Sequence, residues 1–329
     1  MSIIQKNCLI VGCGKMGLLH GALANRVDKL GVSGLVDSSF QSRFVARGIG
    51  IEAPMFSSID AALKKVSPGV AIICTPPNSH FSISKKFLEN GWGVFVEKPL
   101  TMDAGKSKEL SELANANELY NQVGFHLRFN PVISFLYDLL SERREEGKGE
   151  IESLEISILS PQFSKISNEN LGASRGGGEW DLLPHAIDLG FFLLGILEQN
   201  IVSILDSEKD SWRSVKARIG TGGGAVLSAT ADWANDSVRK VETMGRVKMS
   251  DGEIYNFDLD KIWTESENRI LYHRRTGENP FFEIADQEYS FQMQHLADNC
   301  VDLPSHPASD FNSSWLVDHT VQKIKESLL

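Results

Sequence analysis

Asn7-Cys8-Leu9-Ile10-Val11-Gly12-Cys13-Gly14-Lys15-Met16-Gly17 joins a short apolar run to three glycines, and the helix-compatible stretch Leu18 to Leu30 follows at once. Strand, glycine turn and helix in that order suit a dinucleotide. A pyrophosphate must come within reach of backbone N–H groups at a helix start, and side chains on the turn would obstruct it. Gly12 then makes the tight turn, Gly14 admits the anion and Gly17 lets the helix pack closely on the strand, with Lys15 and Met16 completing the cofactor-binding loop. Asp37 ends the next β-like run, Val32 to Val36, 20 residues beyond Gly17. A carboxylate there takes both ribose hydroxyls and repels the extra phosphate of NADP, so NAD is the expected cofactor. NADP stays possible, because Ser38 and Ser39 tolerate a phosphate and Arg43 could reach it.

Outward from this motif, Val70 to Cys74 and Gly93 to Val96 are continuous apolar runs, as strands covered on both faces are. Segments of helical composition lie between them: Phe40 to Gly48, Ser58 to Val66, His80 to Asn90 and Ala104 to Asn117. The alternation predicts an α/β, doubly wound parallel sheet over residues 1–125. Beyond it, Ile151 to Leu159, Ser214 to Ile219, Ala225 to Trp233 and Lys240 to Val247 alternate apolar and polar positions. Helical blocks run from Asp181 to Leu197, Tyr289 to Cys300 and Ser313 to Leu329. Residues 126–329 therefore read as an α+β domain on an open, mostly antiparallel sheet.

The chain has 329 residues, 42% hydrophobic and 23% charged, with Asp and Glu outnumbering Lys and Arg by 43 to 33. That length favours two domains. A net charge of -10 leaves no basic surplus for a phosphate backbone, so nucleic acid is not an expected partner. No apolar run approaches the ~20 residues of a membrane span, and the expectation is a soluble protein. Cys8, Cys13, Cys74 and Cys300 form no CxxC pair and no metal-ligand spacing, which points to a reducing cytoplasm and no metal.

Two further clusters carry possible chemistry. Glu97-Lys98-Pro99 closes the strand Gly93 to Val96, at the strand end where ligands bind in open α/β sheets. Lys98 there can hydrogen-bond a substrate oxygen and stabilise a developing alkoxide, or it is an ordinary surface lysine. In Gly176-Gly177-Gly178-Glu179-Trp180-Asp181-Leu182-Leu183-Pro184-His185-Ala186-Ile187-Asp188, Pro184 fits a helix only in its first turn, which starts the helix near Asp181. Asp181, His185 and Asp188 then share a sector of ~60° on one face. A histidine between two carboxylates suits an acid/base. Asp181 can equally be an N-cap and His185 a satisfied, partly buried histidine. A zinc site is poorer, lacking a second Cys or His partner nearby.

Taken together, the glycine loop, Thr75-Pro76-Pro77-Asn78-Ser79-His80, Glu97-Lys98-Pro99-Leu100, Gly124-Phe125-His126-Leu127-Arg128-Phe129-Asn130-Pro131 and the Asp181-x-x-x-His185-x-x-Asp188 pattern resemble the glucose-fructose oxidoreductase, inositol dehydrogenase and rhizopine-catabolism (Gfo/Idh/MocA) family. The motifs occur in the family's order and span residues 8 to about 195.

The resemblance implies an N-terminal Rossmann domain carrying NAD(P), and an α/β domain that binds substrate and mediates homodimers or homotetramers, with the substrate between domains. It implies that Lys98 contacts the reacting hydroxyl, that His185 contacts the substrate as the general base in oxidation or acid in reduction, and that Asp181 binds substrate and supports that transfer. Cys74, Thr75, Pro76, Asn78, His80 and Glu97 would line the cofactor, and His126 and Arg128 the substrate, while Trp180, beside the acid, is either a wall of the substrate pocket or plain core. It also implies a cis peptide before Pro99. The expected reaction moves a hydride between a nicotinamide and a secondary hydroxyl or ketone of a sugar, cyclitol or nucleotide sugar. Two other readings stay open: a non-catalytic dinucleotide or sugar sensor, and a transient-redox enzyme that cleaves glycosides. The stretches Pro161 to Arg175 and Lys261 to Phe282 are expected to set specificity, and Arg128, Lys165, Arg175 and Arg239 could gather round a charged sugar.

Overall fold

The computed structural model describes residues 5–48, 50–161, 178–196, 202–210, 213–267, 269–274, 287–300 and 309–329, without the side chains of residues 43, 44 and 202. The chain divides into two compact units, Met1–Phe125 with Ala285–Trp315, and His126–Ile284 with Leu316–Leu329.

In the first unit, β1 (Lys6–Val11), β2 (Leu30–Val36), β3 (Met55–Phe56), β4 (Val70–Ile73), β5 (Gly93–Val96) and β6 (Asn121–Val123) form a parallel sheet in the order β3-β2-β1-β4-β5-β6. That order is the doubly wound Rossmann arrangement, with its switch point at β1 and β4. The apolar runs are central strands: every residue of β4 and β5 is buried. Between strands lie α1 (Lys15–Ala24), α2 (Phe40–Gly48), α3 (Ile59–Leu63), α4 (His80–Glu89) and α5 (Ala104–Ala116). Ser58 and Asp103 start α3 and α5 by accepting the backbone N–H of Ala61 and Lys106. The first helix is shorter than the sequence pattern predicts. It stops at Ala24, because Leu30 already pairs with Lys6 in the sheet.

In the second unit, α6 (Pro131–Glu145) is capped by Asn130, whose side chain accepts the Val132 N–H. β7 (Ile151–Leu159), β8 (Val202–Asp210), β9 (Ser214–Thr221), β10 (Val226–Asp232), β11 (Glu242–Met249), β12 (Ile254–Asp258), β13 (Lys261–Thr264) and β14 (Ile270–His273) form one sheet, ordered β14-β13-β12-β11-β7-β10-β9-β8. Only β7 and β10 pair in parallel; the other neighbours are antiparallel.

The single helix expected from Asp181 is two: α7 (Gly178–Asp181) and α8 (Leu183–Leu194). Pro184 lacks the N–H that would bond back into the preceding turn, so the helix restarts around it. Gly195, at φ 65°, ends α8 in the left-handed conformation. α8 packs on the sheet so closely that a Cβ at Gly190 would sit 2.5 Å from Leu227.

The helix Gln287–Asn299 differs in place from the sequence reading, which grouped it with residues 126–329. Its Met293, Leu296 and Ala297 join Cys8, Ile10, Ile72 and Phe95 in the first unit's core. Lys6 Nζ donates to the carbonyl of Cys300 at 2.6 Å, tying the end of this segment to β1.

Candidate functional site

The loop between β1 and α1 needs its glycines for three separate reasons. Gly12 has φ +89°, a left-handed conformation, and a Cβ there would lie 2.9 Å from the Cys74 backbone. At Gly17 a Cβ would fall 1.8 Å from the Gly12 carbonyl oxygen, so the helix can meet the strand only as glycine. Gly14 has nothing within 4 Å of its Cβ position, and it caps α1 without a side chain. The first N–H groups of a helix have no partner inside it, and here they follow a residue whose Cβ position is clear of other atoms. A dinucleotide's pyrophosphate fits that cradle. Lys15 is exposed and Met16 half-buried beside it.

Asp37 follows β2 directly. Its Oδ2 accepts the Cys13 N–H and its Oδ1 the Ser39 N–H, both at 2.7 Å. The carboxylate is thereby fixed against the glycine loop, half-buried, while Ser38 is exposed. Cys74 follows β4 directly, against the loop, and burial pushes its thiol pKa well up. Thr75 Oγ1 accepts from the Ser79 hydroxyl at 2.8 Å, which closes the turn carrying Pro76 and Asn78, both exposed.

His80 and Glu97 do different work from their neighbours. His80 is fully buried, with Nδ1 2.8 Å from the Pro99 carbonyl and Nε2 2.8 Å from the Thr75 carbonyl. The ring lies between two backbone segments, donating to one carbonyl when neutral and to both when protonated, and burial holds its pKa below the ordinary histidine value despite those carbonyls. The Lys98–Pro99 peptide is cis. Glu97 Oε1 lies 2.6 Å from Nε2 of His20, and its Oε2 accepts the Lys98 N–H at 3.2 Å. Lys98 is half-exposed at the end of β5. His20 is the residue that sequence reasoning missed. Its only signal is a histidine inside the apolar run Leu18-Leu19-His20-Gly21-Ala22-Leu23.

In the second unit, Asp181 is half-buried at the end of α7 and His185 is 8% exposed in the first turn of α8. The His185 ring meets the half-buried His126 ring edge to face, centroids 5.2 Å apart. Asp188 does not serve His185. It is 1% exposed and takes a two-pronged bond from Arg128, with Nη2 at 2.6 Å and Nε at 3.0 Å.

Burial pushes the Asp188 carboxyl up, and the Arg128 guanidinium beside it pulls it back. Arg128, buried and lying over the Phe192 ring, is thus a structural partner of Asp188. Trp180 is 3% exposed, a core residue by burial. Of the basic residues expected to gather, Arg239 is exposed, while Lys165 and Arg175 lie outside the described residues. So do Gly176, Gly177, most of Pro161 to Arg175, and residues 268 and 275–282 of the other specificity stretch. Among the described residues, no group of three or more His, Cys, Asp or Glu is placed to hold a metal, and no helix is long and apolar enough to cross a membrane.

The family model described as "Oxidoreductase family, NAD-binding Rossmann fold" matches residues 6–125. Over 326 residues the chain is 31% identical to the scyllo-inositol 2-dehydrogenase (NAD(+)) of Bacillus subtilis (strain 168), covering 90% of this chain and 86% of that protein. An inositol 2-dehydrogenase of Rhizobium meliloti (strain 1021) is 26% identical over 188 residues, so that match spans 56% of this chain and 54% of the relative. Levoglucosan dehydrogenase, solved with NADH and levoglucosan, shares the fold with a TM-score of 0.79 over 98% of this chain and 97% of that one, at 17% identity. The chain belongs to the Gfo/Idh/MocA family of oxidoreductases, whose N-terminal domain is an NAD-binding Rossmann fold.

Proposed function

We propose that the chain is an NAD-dependent dehydrogenase acting on a secondary hydroxyl of a cyclitol or sugar. The observation that carries this reading is the glycine cradle, open at Gly14 and flanked by the fixed Asp37 carboxylate, in a chain aligned over 90% of its length with a scyllo-inositol dehydrogenase. The N–H groups at the start of α1 hold the pyrophosphate, and Asp37 accepts the ribose hydroxyls. Cys74, Thr75, Pro76 and Asn78 line the nicotinamide side, with His80 holding the backbone of that wall. When bound, NAD supplies the hydride acceptor or donor. Lys98 Nζ donates to the substrate oxygen and stabilises negative charge as it develops there. An imidazole nitrogen of His185 takes the hydroxyl proton in oxidation and returns it in reduction, and Asp181 supports that transfer. His126, beside His185, contacts the substrate.

A homodimer or homotetramer fits the second unit's broad sheet, where Leu205 and Met244 are exposed. A cytoplasmic location fits the four free thiols. Purified protein incubated with NAD and, separately, scyllo-inositol, myo-inositol, levoglucosan and UDP-N-acetylglucosamine tests the reading by NADH absorbance. Turnover of a cyclitol or sugar is expected. NAD binding without turnover across the panel and its reduction counterparts would favour a sensor instead, and release of UDP from UDP-N-acetylglucosamine without NADH would favour transient redox.

A further inference from the structure

We infer that His20 is a positioning residue for Lys98, acting through Glu97; this rests on the proposed role of Lys98. His20 comes from α1, 77 residues before Glu97, and is fully buried. Its Nδ1 has no hydrogen-bond partner among the described residues, so the ring proton that matters is on Nε2, which donates to Glu97 Oε1 at 2.6 Å. The Phe95 and Tyr289 rings meet the imidazole edge to face, with centroids 5.1 Å and 5.9 Å away. These rings leave His20 little freedom to turn.

Glu97 is gripped on its other side as well. Its Oε2 accepts the Lys98 N–H, and a Cβ at Gly124 would come within 3.1 Å of that oxygen. The carboxylate therefore fills a slot closed by α1, by Gly124 and by the backbone of Lys98 itself. Two things follow. The point from which the Lys98 side chain springs is held by Glu97, whose other oxygen is bonded to His20 of α1. That same helix presents the pyrophosphate cradle at its first turn, so cradle and lysine share one rigid support. Tyr289, from the returning segment, ties this support to a third stretch of chain.

Two variants test this, His20→Leu, which removes the donor, and His20→Gln, which restores one at similar reach. Hydrogen exchange read by mass spectrometry on protein without added cofactor should show faster exchange over residues 95–101 in His20→Leu, and near wild-type exchange in His20→Gln. Unchanged exchange in His20→Leu would overturn the inference whatever the activity. With scyllo-inositol and NAD, His20→Leu should lower kcat by about tenfold or more while KM for NAD stays within about threefold. Added to Lys98→Ala, it should cost nothing further, because both changes remove one function. Multiplying losses in the double variant would place the action of His20 elsewhere and reject the inference. Wild-type turnover by Lys98→Ala alone would instead reject the role of Lys98.

Discussion

The glycines of the first loop make separable demands, and single substitutions distinguish them. Gly17→Ala drives a methyl group onto the Gly12 carbonyl oxygen, so it should lower the melting temperature as well as NAD affinity. Gly14→Ala meets open space, so it should leave the melting temperature near wild type while weakening NAD binding about tenfold or more, by standing where the pyrophosphate goes. Thermal melts paired with NAD titrations check both. Equal effects on stability would contradict the assignment of Gly14 to the ligand. Asp37→Ser removes the charge that disfavours a 2′-phosphate, and the ratio of kcat/KM for NADP to that for NAD should rise at least about tenfold. An unchanged ratio would remove Asp37 from cofactor choice. Gly12, Gly17 and Asp37 were legible in sequence because their work is local, done within one strand-turn-helix unit and the end of the next strand. His20 was not, since its meaning lies in a carboxylate 77 residues away.

At the level of elements, the Arg128–Asp188 pair fastens the turn His126–Phe129 to α8 and so holds His126 against His185. Spacing along α8 grouped Asp188 with His185 on one face, but could not show that a guanidinium 60 residues earlier claims the carboxylate. Arg128→Leu leaves that carboxylate buried and uncompensated, and should destabilise the protein by about 3–5 kcal/mol in denaturant unfolding. Loss below about 1 kcal/mol would show the pair to be dispensable.

The burial of His80 predicts a pH dependence of stability. Its pKa is lower folded than unfolded, so between the two values the unfolded chain binds more protons and stability rises with pH. The contribution is complete above about pH 6.5 and falls away as pH drops below it. His80→Gln should therefore flatten the fall in melting temperature between about pH 7 and pH 5. An identical slope in both proteins would contradict the buried neutral ring.

Across the whole chain, the sequence showed most clearly what periodicity and composition encode. The buried runs Val70 to Ile73 and Gly93 to Val96 became central parallel strands, and the alternating run Ile151 to Leu159 became the middle of the second sheet. The charged edge strand Val202–Asp210 carried little apolar signal, and the strand Met55–Phe56, at two residues, was too short to show a pattern. The apolar face of Gln287–Asn299 announced a helix without saying which core it completes, and its side chains belong to the first unit. The proposed chemistry draws on both units, with Lys98 at the end of β5 and His185 at the start of α8. Turnover by Lys98→Ala and His185→Ala, measured beside their NAD affinity, tests that account most directly. Each should lose about two or more orders of magnitude in kcat while binding NAD within about threefold of wild type; wild-type turnover in both would contradict it.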